Sequence, residues 1–460
     1  MAWLQQNAEN KSSPLRKASV GSGLRGTVAC GVDIGSTNLK VVLLDDEGTI
    51  VRRARVATPR DAAGLSIDTA ALMRSLEEMI LAACGDAYAV AAVSVAGIGE
   101  DGVLVDGSMR VLTDALSWFD PRRKRIFRSF KRALHDDELF DAYTDPARTM
   151  TGWKWSREQQ LDAAATHWLA VTDFPGSRWS GRAFMSDTLA SRTGAWRTSD
   201  RSWDRERVEL TLGTMSLLPP VLAAGEVVGN LRIPSLLAAG VVVDSALVVA
   251  GGHDHPIGGW GVHQLSPGAV LDSMGTAEVV VLQAPEQQHH RQEGVDFAPG
   301  IRSDGRTLMR VEELSRNVAW ASQDPDVGRC IRALIDGGLK PASVLQARHF
   351  RPGGRGGGRP SYSLDAPRDA HARASAVLGA LAIAGAEAVE AVRAEATTVP
   401  VVRSAGGWSR SPGWLRIKES VSGYAAVPVG EPEVTAASAA LLAATALGWS
   451  PDPKMIFSGA

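Results

Sequence analysis

The sequence has few cysteines, almost no net charge and no long apolar run. Its only cysteines, Cys30, Cys84 and Cys330, are far apart and odd in number. They suggest neither a disulfide framework nor a Cys-x-x-Cys metal site, and they fit a reducing, cytoplasmic compartment. The formal net charge of -2 argues against a nucleic-acid binder, which normally shows a strong basic balance. No apolar run approaches about 18 residues without a charge or a glycine, so no membrane span is expected.

Two common nucleotide-binding motifs are also missing. Residues 21–26 and 97–102 both match GxGxxG, but the first precedes a predicted strand and the second joins two predicted strands. A dinucleotide fingerprint requires the order strand, turn, helix, so we reject both matches. No GxxxxGK[ST] string occurs, and this excludes a P-loop mechanism.

What is present is a mixed α/β pattern on a chain of 460 residues, too long for one core. Residues 27–56 read as three strands with two tight turns, followed by a helix that Asp68 caps and a strand at 90–96. Further strands are predicted at 246–250, 269–273, 278–282 and 398–402, and helices at 371–395 and 434–447. We predict a disordered tail over 1–26, an N-terminal domain over 27–245, a C-terminal domain over 246–450 and a short tail over 451–460.

An internal repeat suggests that the α/β unit is duplicated. The segment Asp33-Ile34-Gly35-Ser36-Thr37 lies between two apolar runs, and Asp272-Ser273-Met274-Gly275-Thr276 does so again. Each reads as a turn of glycine and a hydroxyl residue between two strands. Such a turn can direct backbone N–H groups at an anion, because glycine allows close approach and the hydroxyl adds a donor. Two halves would then hold two phosphate-gripping turns across one cleft.

An ordered set of motifs resembles the FGGY family of carbohydrate kinases over about residues 27–448. Residues 33–40 resemble the first phosphate motif, 251–255 the catalytic segment, 275–278 the second phosphate motif, and 406–411 with 433–437 the adenosine motif. Residues 118–122 and 187–193 are similar to further family segments of the first domain. The resemblance implies an α/β protein with an actin-like, ribonuclease H-like fold, which is a duplicated two-domain ATPase fold with a central cleft.

The resemblance also implies site residues. Asp254 matches the catalytic base, and phosphoryl transfer does need an acceptor for the hydroxyl proton. Asp33 is expected to hold Mg²⁺ through water, with ATP as co-substrate, because Mg²⁺ prefers oxygen ligands and keeps its hydration shell. The expected ATP- and phosphate-binding residues are Gly35, Ser36, Thr37, Asn38, Lys40, Gly275, Thr276, Gly406, Gly407, Trp408 and Ser409. The expected substrate-binding residues are Glu100, Asp101, Asp120 and Asp254.

Two positions depart from the family pattern. Glu100 and Asp101 stand where relatives carry sugar-contacting residues such as a Gln-Met-His-Gly run. Two carboxylates would accept hydrogen bonds from hydroxyls and repel a carboxylate or phosphate, which predicts a neutral substrate; a solvated acidic turn is the alternative. Trp408 replaces the third glycine of the adenosine motif, where it could stack on adenine or crowd it.

Together these patterns predict an ATP-dependent kinase for a small neutral sugar, such as a pentulose ketose, or a polyol. The alternative is a catalytically weak or inactive sugar- or nucleotide-binding regulatory protein with the same fold. The joint presence of Asp33, Asp254 and Thr276 favours the enzyme. His253 and His255 flank Asp254, but no third ligand cluster is evident, so a transition-metal site is the less favoured interpretation. The expected partners are ATP and the sugar, without nucleic acid or membrane, and a homodimer is left open.

Overall fold

The computed structural model describes residues 25–134, 139–159, 165–285, 291, 293–303, 305–354, 358–394 and 401–458. Most of the predicted N-terminal tail, residues 1–24, lies outside the described residues, as do residues 398–400 of one predicted strand. Two six-stranded sheets dominate the part of the chain that is described. The mixed α/β class predicted from the sequence is confirmed.

The first half of the chain contains one large sheet of order β13-β14-β5-β1-β2-β3. Its strands, with those of small side sheets, are β1 (Gly26–Ile34), β2 (Asn38–Leu44), β3 (Ile50–Ala57), β4 (Ser66–Ile67), β5 (Tyr88–Gly97), β6 (Gly102–Val105), β7 (Ala115–Leu116), β8 (His167–Ala170), β9 (Met185–Ser186), β10 (Trp196–Arg197), β11 (Ser202–Trp203), β12 (Val221–Leu222), β13 (Val227–Asn230) and β14 (Val242–His253). Its helices are α1 (Thr69–Cys84), α2 (Arg122–Phe130), α3 (Thr149–Glu158), α4 (Phe174–Ser180), α5 (Asp187–Ala190), α6 (Arg205–Thr211) and α7 (Pro234–Ala238). Strands β1, β2 and β3 form the predicted antiparallel meander, and β1, β5 and β14 are parallel.

Local sequence explains these elements. Strand β1 is buried over residues 28–34 because both of its faces are covered there, as is usual for a central strand that pairs with a parallel neighbour. Helix α1 begins as predicted, because the Asp68 side chain accepts a hydrogen bond from the backbone N–H of Ala71. Leu72 and Leu76 of that helix are fully buried on one face against the sheet.

The second half repeats this arrangement in a sheet of order β17-β18-β16-β15-β21-β22. Its strands are β15 (Val270–Met274), β16 (Ala277–Ala284), β17 (Asp296–Pro299), β18 (Arg306–Glu313), β19 (Phe350–Arg351), β20 (Ser361–Tyr362), β21 (Val402–Ala405) and β22 (Val427–Pro428). Its helices are α8 (Asp254–Leu265), α9 (Ser315–Ala321), α10 (Pro325–Asp336), α11 (Ala370–Arg393), α12 (Pro412–Ser422), α13 (Val434–Ala446) and α14 (Pro453–Phe457). Strands β15, β16 and β18 are antiparallel neighbours, with β17 inserted between β16 and β18 in the chain, and β15, β21 and β22 are parallel. The duplication inferred from the repeated turn is therefore visible in the strand order.

Helices α8 and α13 join the two halves. Their buried side chains share one hydrophobic core with residues of both sheets, for example Ala29 of β1 and Leu271 of β15. A Cβ atom added at Gly31 of β1 would lie 1.9 Å from the carbonyl oxygen of Ala436 in α13. This separation leaves no room for a side chain, so glycine is required where the helix crosses the strand.

Two of the predicted boundaries differ from the structure. Strand β14 spans the boundary set between residues 245 and 246, and it pairs with β5 of the first sheet. The strand pairing changes to the second sheet only after His253, because the apolar run 246–250 is a buried strand of the first sheet. Residues 451–458 are not a tail, since they include helix α14, whose Ile456 and Phe457 are buried.

Helix α11 is long and apolar enough, by length and composition, to cross a membrane. Within the fold, however, 67% of its most apolar window is buried. The helix packs against α10 and α12, and at Gly379 an added Cβ would lie 1.6 Å from the carbonyl oxygen of Leu345. These contacts are those of a core helix of the second half.

Candidate active site

The carboxyl ends of three neighbouring parallel strands bring the predicted residues of the first half to one sheet edge. Asp33 lies near the end of β1 and pairs in register with Ala96 of β5, while His253 at the end of β14 pairs with Gly97 of β5. Adjacent strands are about 4.8 Å apart, so the backbones of β1 and β14 are about 10 Å apart here. Ligands of open α/β sheets bind at this edge.

Asp254 occupies the junction between β14 and α8. Gly251 and Gly252 make this junction possible, because a Cβ added to either would lie 2.0 Å from an atom of a neighbouring segment. Gly252 also has φ of +143°, a conformation that side chains other than glycine rarely adopt. The backbone N–H of His253 donates to Thr188 Oγ1 at 3.0 Å. The two glycines predicted to flank the catalytic segment thus fix the position of Asp254.

The surroundings of Asp254 favour a carboxylate that can take up a proton. Its side chain is 24% exposed. Burial raises the pKa of Asp254, the nearby His255 lowers it, and the charges of Asp33 and Glu100 raise it further, so that the pKa lies above its ordinary value. A general base works best with a pKa near the operating pH, and this shift is in that direction.

Two histidines stand beside the same carboxylate oxygen. The distance from His253 Nε2 to Asp254 Oδ1 is 3.2 Å, and that from His255 Nε2 to the same oxygen is 3.6 Å. Burial, Arg192 and His255 hold the pKa of His253 well below its ordinary value, so this imidazole is neutral. The third possible metal ligand, which the sequence analysis did not consider, is Asp254 itself. The ligand atoms of His253, Asp254 and His255 all lie within 4.8 Å of one another.

The first phosphate turn is held from both sides. The N–H of Gly35 donates to the carbonyl of Asn38 at 3.0 Å, which closes the turn before Asn38 begins β2. Trp118 Nε1 donates to Ser36 Oγ at 3.0 Å, and Arg60 Nη2 donates to the carbonyl of Ser36 at 2.8 Å. Thr37 is exposed at the tip of the turn.

Lys40 lies directly across the hairpin from Asp33. Its Nζ atom is 2.7 Å from Asp33 Oδ2 and 3.5 Å from Glu433 Oε2. Burial alone would lower the pKa of Lys40, but Asp33 and Glu433 outweigh this effect and raise it. We call these three residues the first lysine cluster. It links the first turn to the start of α13, because Glu433 immediately precedes that helix.

The second phosphate turn and the adenosine motif meet at the matching edge of the second sheet. Gly275 and Thr276 are exposed between β15 and β16, and the Gly275 N–H donates to the carbonyl of Ala277 at 2.8 Å. Gly406 has φ of +88°, and a Cβ there would lie 2.3 Å from the carbonyl oxygen of Met274. Glycine therefore lets the two motifs touch. A Cβ at Gly407 would face open space.

A cavity of about 150 Å³ lies beside the adenosine motif, lined by Gly406, Ser409, Arg410, Val429 and Glu431 among others. Ser409 Oγ donates to the carbonyl of Gly406 at 2.7 Å, which stabilises the turn.

Trp408 does not line this cavity. It is 5% exposed and packs against Trp414, with ring centroids 5.5 Å apart. In this structure Trp408 is a core residue of the second half rather than part of the cavity wall.

Glu100 and Asp101 are buried, and the alternative of a solvated acidic turn is wrong. Glu100 Oε1 accepts hydrogen bonds from Arg192 Nε at 2.9 Å and Nη2 at 2.6 Å. The Asp101 side chain has no exposed surface and lies 3.7 Å from Arg123. The Glu100 carboxylate is therefore paired with Arg192, and burial raises the pKa of Asp101 to about 7; both facts weaken the argument that this pair repels an anionic substrate. Asp101 in particular offers no accessible oxygen to a sugar in this structure.

Asp120 is also committed to a protein partner. Its side chain is fully buried, and its Oδ2 accepts from Arg122 Nη2 at 2.7 Å. In this structure Asp120 therefore lacks the exposed oxygen that its predicted role in substrate binding requires.

Sequence reasoning missed a buried ion network beside Glu100. Asp296 of β17 is fully buried, and its Oδ2 accepts from Arg192 Nη1 and Arg148 Nη2, each at 2.9 Å. Arg192 thus bridges a carboxylate of the first half and one of the second. No local motif signals this, since Arg192 and Asp296 are 104 residues apart.

Fold and site together define a two-domain sugar kinase. Residues 28–261 match the family model described as "FGGY family of carbohydrate kinases, N-terminal domain", and the chain belongs to this family. Its members are phosphotransferases with an alcohol group as acceptor and ATP as co-substrate.

Several relatives carry names that agree with this class. The xylulose kinase of Bacillus subtilis is 22% identical over 449 residues, which cover 91% of this chain and 88% of the relative. The L-fuculokinase of Salmonella typhi is 24% identical and covers 69% of this chain and 72% of the relative. A solved structure from Brucella ovis, titled as a xylulose kinase, superposes with a TM-score of 0.80 at 21% identity over 94% of this chain and 93% of that one. The last likeness shows the fold, which is the actin-like two-domain fold predicted from the sequence.

Proposed function

We propose that this protein transfers the γ-phosphate of ATP to a hydroxyl of a small neutral ketose, such as a pentulose, or of a polyol, with Asp254 as the base. The observation that carries the proposal is the position of Asp254. It lies on a rigid strand–helix junction, partly exposed, at the edge that also holds Asp33 and the first phosphate turn.

In the proposed reaction, the acceptor hydroxyl loses its proton to the Asp254 carboxylate. Its oxygen forms the new bond to the γ-phosphorus, and the bond between that phosphorus and the bridging oxygen of ADP breaks. The products are the sugar phosphate and ADP. The chain contributes mainly position and electrostatics, as is usual for phosphoryl transfer.

The two turns are proposed to bind the phosphates. Gly35, Ser36, Thr37 and Asn38 would present the first turn, and Gly275 and Thr276 the second. Lys40 is a cation 24% exposed beside the first turn, where it could balance phosphate charge. The cavity beside Gly406 and Ser409 would receive the adenosine.

Asp33 suits a water-mediated Mg²⁺ ion. Oxygen ligands with retained waters are what Mg²⁺ prefers, and Asp33 is close enough to Asp254 to affect its pKa. Lys40 pairs with the Oδ2 atom of Asp33, and the Oδ1 atom is proposed to face the hydrated ion. When bound, Mg²⁺ would neutralise charge on the transferring phosphates.

The proposal of a neutral substrate is based on the groups that the nearby arginines bind. Arg192 is committed to Glu100 and Asp296, and Arg123 donates to five backbone carbonyls. Neither guanidinium is available to a substrate carboxylate. Relatives named for xylulose and L-fuculose match this chain at 22–28% identity and a gluconokinase matches it at 19%, which favours a ketose.

The decisive experiment measures ADP release from Mg-ATP with a panel of pentuloses, other ketoses, aldoses, polyols and gluconate. We expect turnover with a neutral member. Asp254→Asn should lower kcat by about 10²–10⁴-fold, the usual contribution of a general base, with ATP binding and fold retained. Asp244→Asn is the matched control, because Asp244 is exposed on the same strand.

Full activity of Asp254→Asn would refute the role of this residue. Preferential use of gluconate would refute the neutral substrate. Silence across the panel, with sugar and nucleotide still bound, would instead support a regulatory binding protein.

A further inference from the structure

Three consecutive residues at the strand–helix junction present two imidazoles and a carboxylate to one another. His253 Nε2 and His255 Nε2 approach Asp254 Oδ1 at 3.2 and 3.6 Å. Two ligand atoms bound tetrahedrally to Zn²⁺, each at about 2.0–2.1 Å, are about 3.4 Å apart. These two separations lie on either side of this value, and all three ligand atoms lie within 4.8 Å of one another, so a small movement of the more exposed His255 ring would bring the set around one ion.

The imidazoles do not use this approach for hydrogen bonds to the carboxylate. Among the described residues, Asp254 Oδ1 accepts from the backbone N–H of His255 at 2.8 Å, and neither ring nitrogen makes an aligned hydrogen bond to it. Both imidazole nitrogens are therefore near the oxygen, and neither is committed to a hydrogen bond with it.

The rings are also held in place. A Cβ at Gly99 would lie 2.8 Å from His253 Cδ2, so the His253 ring packs directly on the backbone of the loop after β5. The two rings meet edge to face, with centroids 5.4 Å apart. Because the His253 ring is already fixed by packing, this ligand loses little conformational entropy when an ion binds.

We propose that His253, Asp254 and His255 form a binding site for a borderline-soft divalent ion of the Zn²⁺ type, seated on the catalytic carboxylate. Imidazole and carboxylate ligands suit Zn²⁺, Co²⁺ and Ni²⁺ and are poorly suited to Mg²⁺, which prefers oxygen ligands and water. Three protein ligands leave at least one coordination position for water or a substrate hydroxyl.

The site is expected to be weaker than a structural zinc site. Metal-binding histidines usually donate their second ring N–H to a carbonyl or carboxylate, and loss of such a partner costs about 10–100-fold in affinity. The Nδ1 atom of His253 is buried without a hydrogen-bond partner among the described residues. Reversible binding, suited to control of activity, is the result.

The functional consequence rests on the proposed role of Asp254 as base. An ion on that carboxylate occupies the oxygen that would accept the hydroxyl proton. Zn²⁺ should therefore inhibit phosphoryl transfer in the presence of saturating Mg-ATP, and a chelator should restore the activity.

Co²⁺ is the probe for binding, because its visible absorption reports coordination without any turnover. Tag-free full-length protein should bind one Co²⁺ per chain, displaced by Zn²⁺ and not by a large excess of Mg²⁺. His255→Ala and Asp254→Asn should each weaken Co²⁺ binding by about 10-fold or more. The variant His289→Asn/His290→Asn is the matched control for histidines elsewhere and should bind as the unaltered protein does.

Absence of Co²⁺ binding at high micromolar concentration, or binding that His255→Ala leaves unchanged, would overturn the site. The role of Asp254 is judged separately by turnover of Asp254→Asn without added metal. If that variant remains active while Co²⁺ binding depends on His255, the metal site stands and the proposed base fails. If the unaltered protein binds Co²⁺ at His255 but Zn²⁺ does not inhibit it, the inhibitory role is refuted.

Discussion

Each half of the molecule carries a lysine between two carboxylates behind its phosphate turn, but the two clusters differ in exposure. In the first lysine cluster, the side chains of Lys40, Asp33 and Glu433 are 24%, 5% and 17% exposed. The second lysine cluster consists of Lys418, Asp272 and Glu278, whose side chains are 4%, 0% and 1% exposed. The same charges therefore sit at the cleft in one half and inside the core in the other.

The difference shows how a duplicated fold can divide its roles. Lys418 comes from α12 rather than from the hairpin, and it bridges Asp272 of β15 and Glu278 of β16. A Cβ at Gly385 of α11 would lie 2.1 Å from Glu278 Oε1, so the cluster is closed on that side too. We infer that the second cluster fixes the hairpin, while the first is free to meet phosphate and Mg²⁺.

The largest expected effect comes from Lys418→Met, which leaves the buried Asp272 carboxylate and the Glu278 carboxyl group without their lysine partner. Removal of one partner from a buried ion pair costs about 3–5 kcal/mol. Urea unfolding should show a loss of this size. Lys40→Met, the matched change in the first cluster, should cost less than Lys418→Met, because Glu433 is 17% exposed and can be solvated, so that only Asp33 is left as a buried carboxylate. Equal losses for the two variants would contradict the division of roles.

Lys40→Met should instead reduce activity. If Lys40 balances phosphate charge, its loss should lower kcat by about 10²-fold, as for loss of one preorganised electrostatic contact. Steady-state kinetics with the best substrate of the panel measures this effect. Lys40→Arg, which keeps the charge, should recover part of the activity. An unchanged kcat in Lys40→Met would place the lysine outside the phosphate site.

Features near the first lysine cluster were easier to predict from the sequence than contacts buried in the core. The first turn, the repeated hairpin and the junction at Asp254 were predictable, because glycine, hydroxyl and carboxylate residues follow apolar runs at fixed spacing. The predicted domain boundary at residue 245 differs from the structure, because an apolar run shows that a strand is buried but not to which of the two sheets it belongs. Local patterns report strand ends and turns well, and they do not report which sheet a strand joins.

Long-range ion pairs were beyond such patterns. The sequence predicts that Glu100 accepts hydrogen bonds from sugar hydroxyls, whereas in the structure it pairs with Arg192, 92 residues away. Lys418 and Glu278 are 140 residues apart. A carboxylate in a glycine-rich loop looks the same in sequence whether it faces solvent or a distant arginine, so burial and pairing had to come from the structure.

The two clusters should also differ in their effect on pH-dependent stability. Burial raises the pKa of Glu278, Lys418 lowers it and Asp272 raises it, so that the pKa lies above its ordinary value of 4.5. The native state then holds a proton that the unfolded chain releases, and stability falls as pH rises above 4.5. Because one unit of pKa shift corresponds to about 1.4 kcal/mol, Glu278→Gln should remove more than about 1 kcal/mol of this decline. Unfolding measured from pH 5 to pH 9 tests it.

The matched control is Glu433→Gln in the first cluster. It leaves Glu278 in place, so the free energy of unfolding should change with pH as it does in the unaltered protein. A slope that persists in Glu278→Gln would mean that other buried carboxyls, such as Asp101 and Asp173, whose burial raises the pKa of each to about 7, carry the effect.

The smallest expected effect concerns Trp408, which sharpens the contrast between cleft-facing and core-facing groups of the second half. Trp408→Phe keeps an aromatic ring against Trp414 and should cost about 1 kcal/mol in the free energy of unfolding. The KM for ATP should change less than about 2-fold, because the indole does not line the cavity beside Gly406. A large rise in the KM for ATP with unchanged stability would show that Trp408 turns outward to stack on adenine. Trp408 would then belong to the nucleotide site.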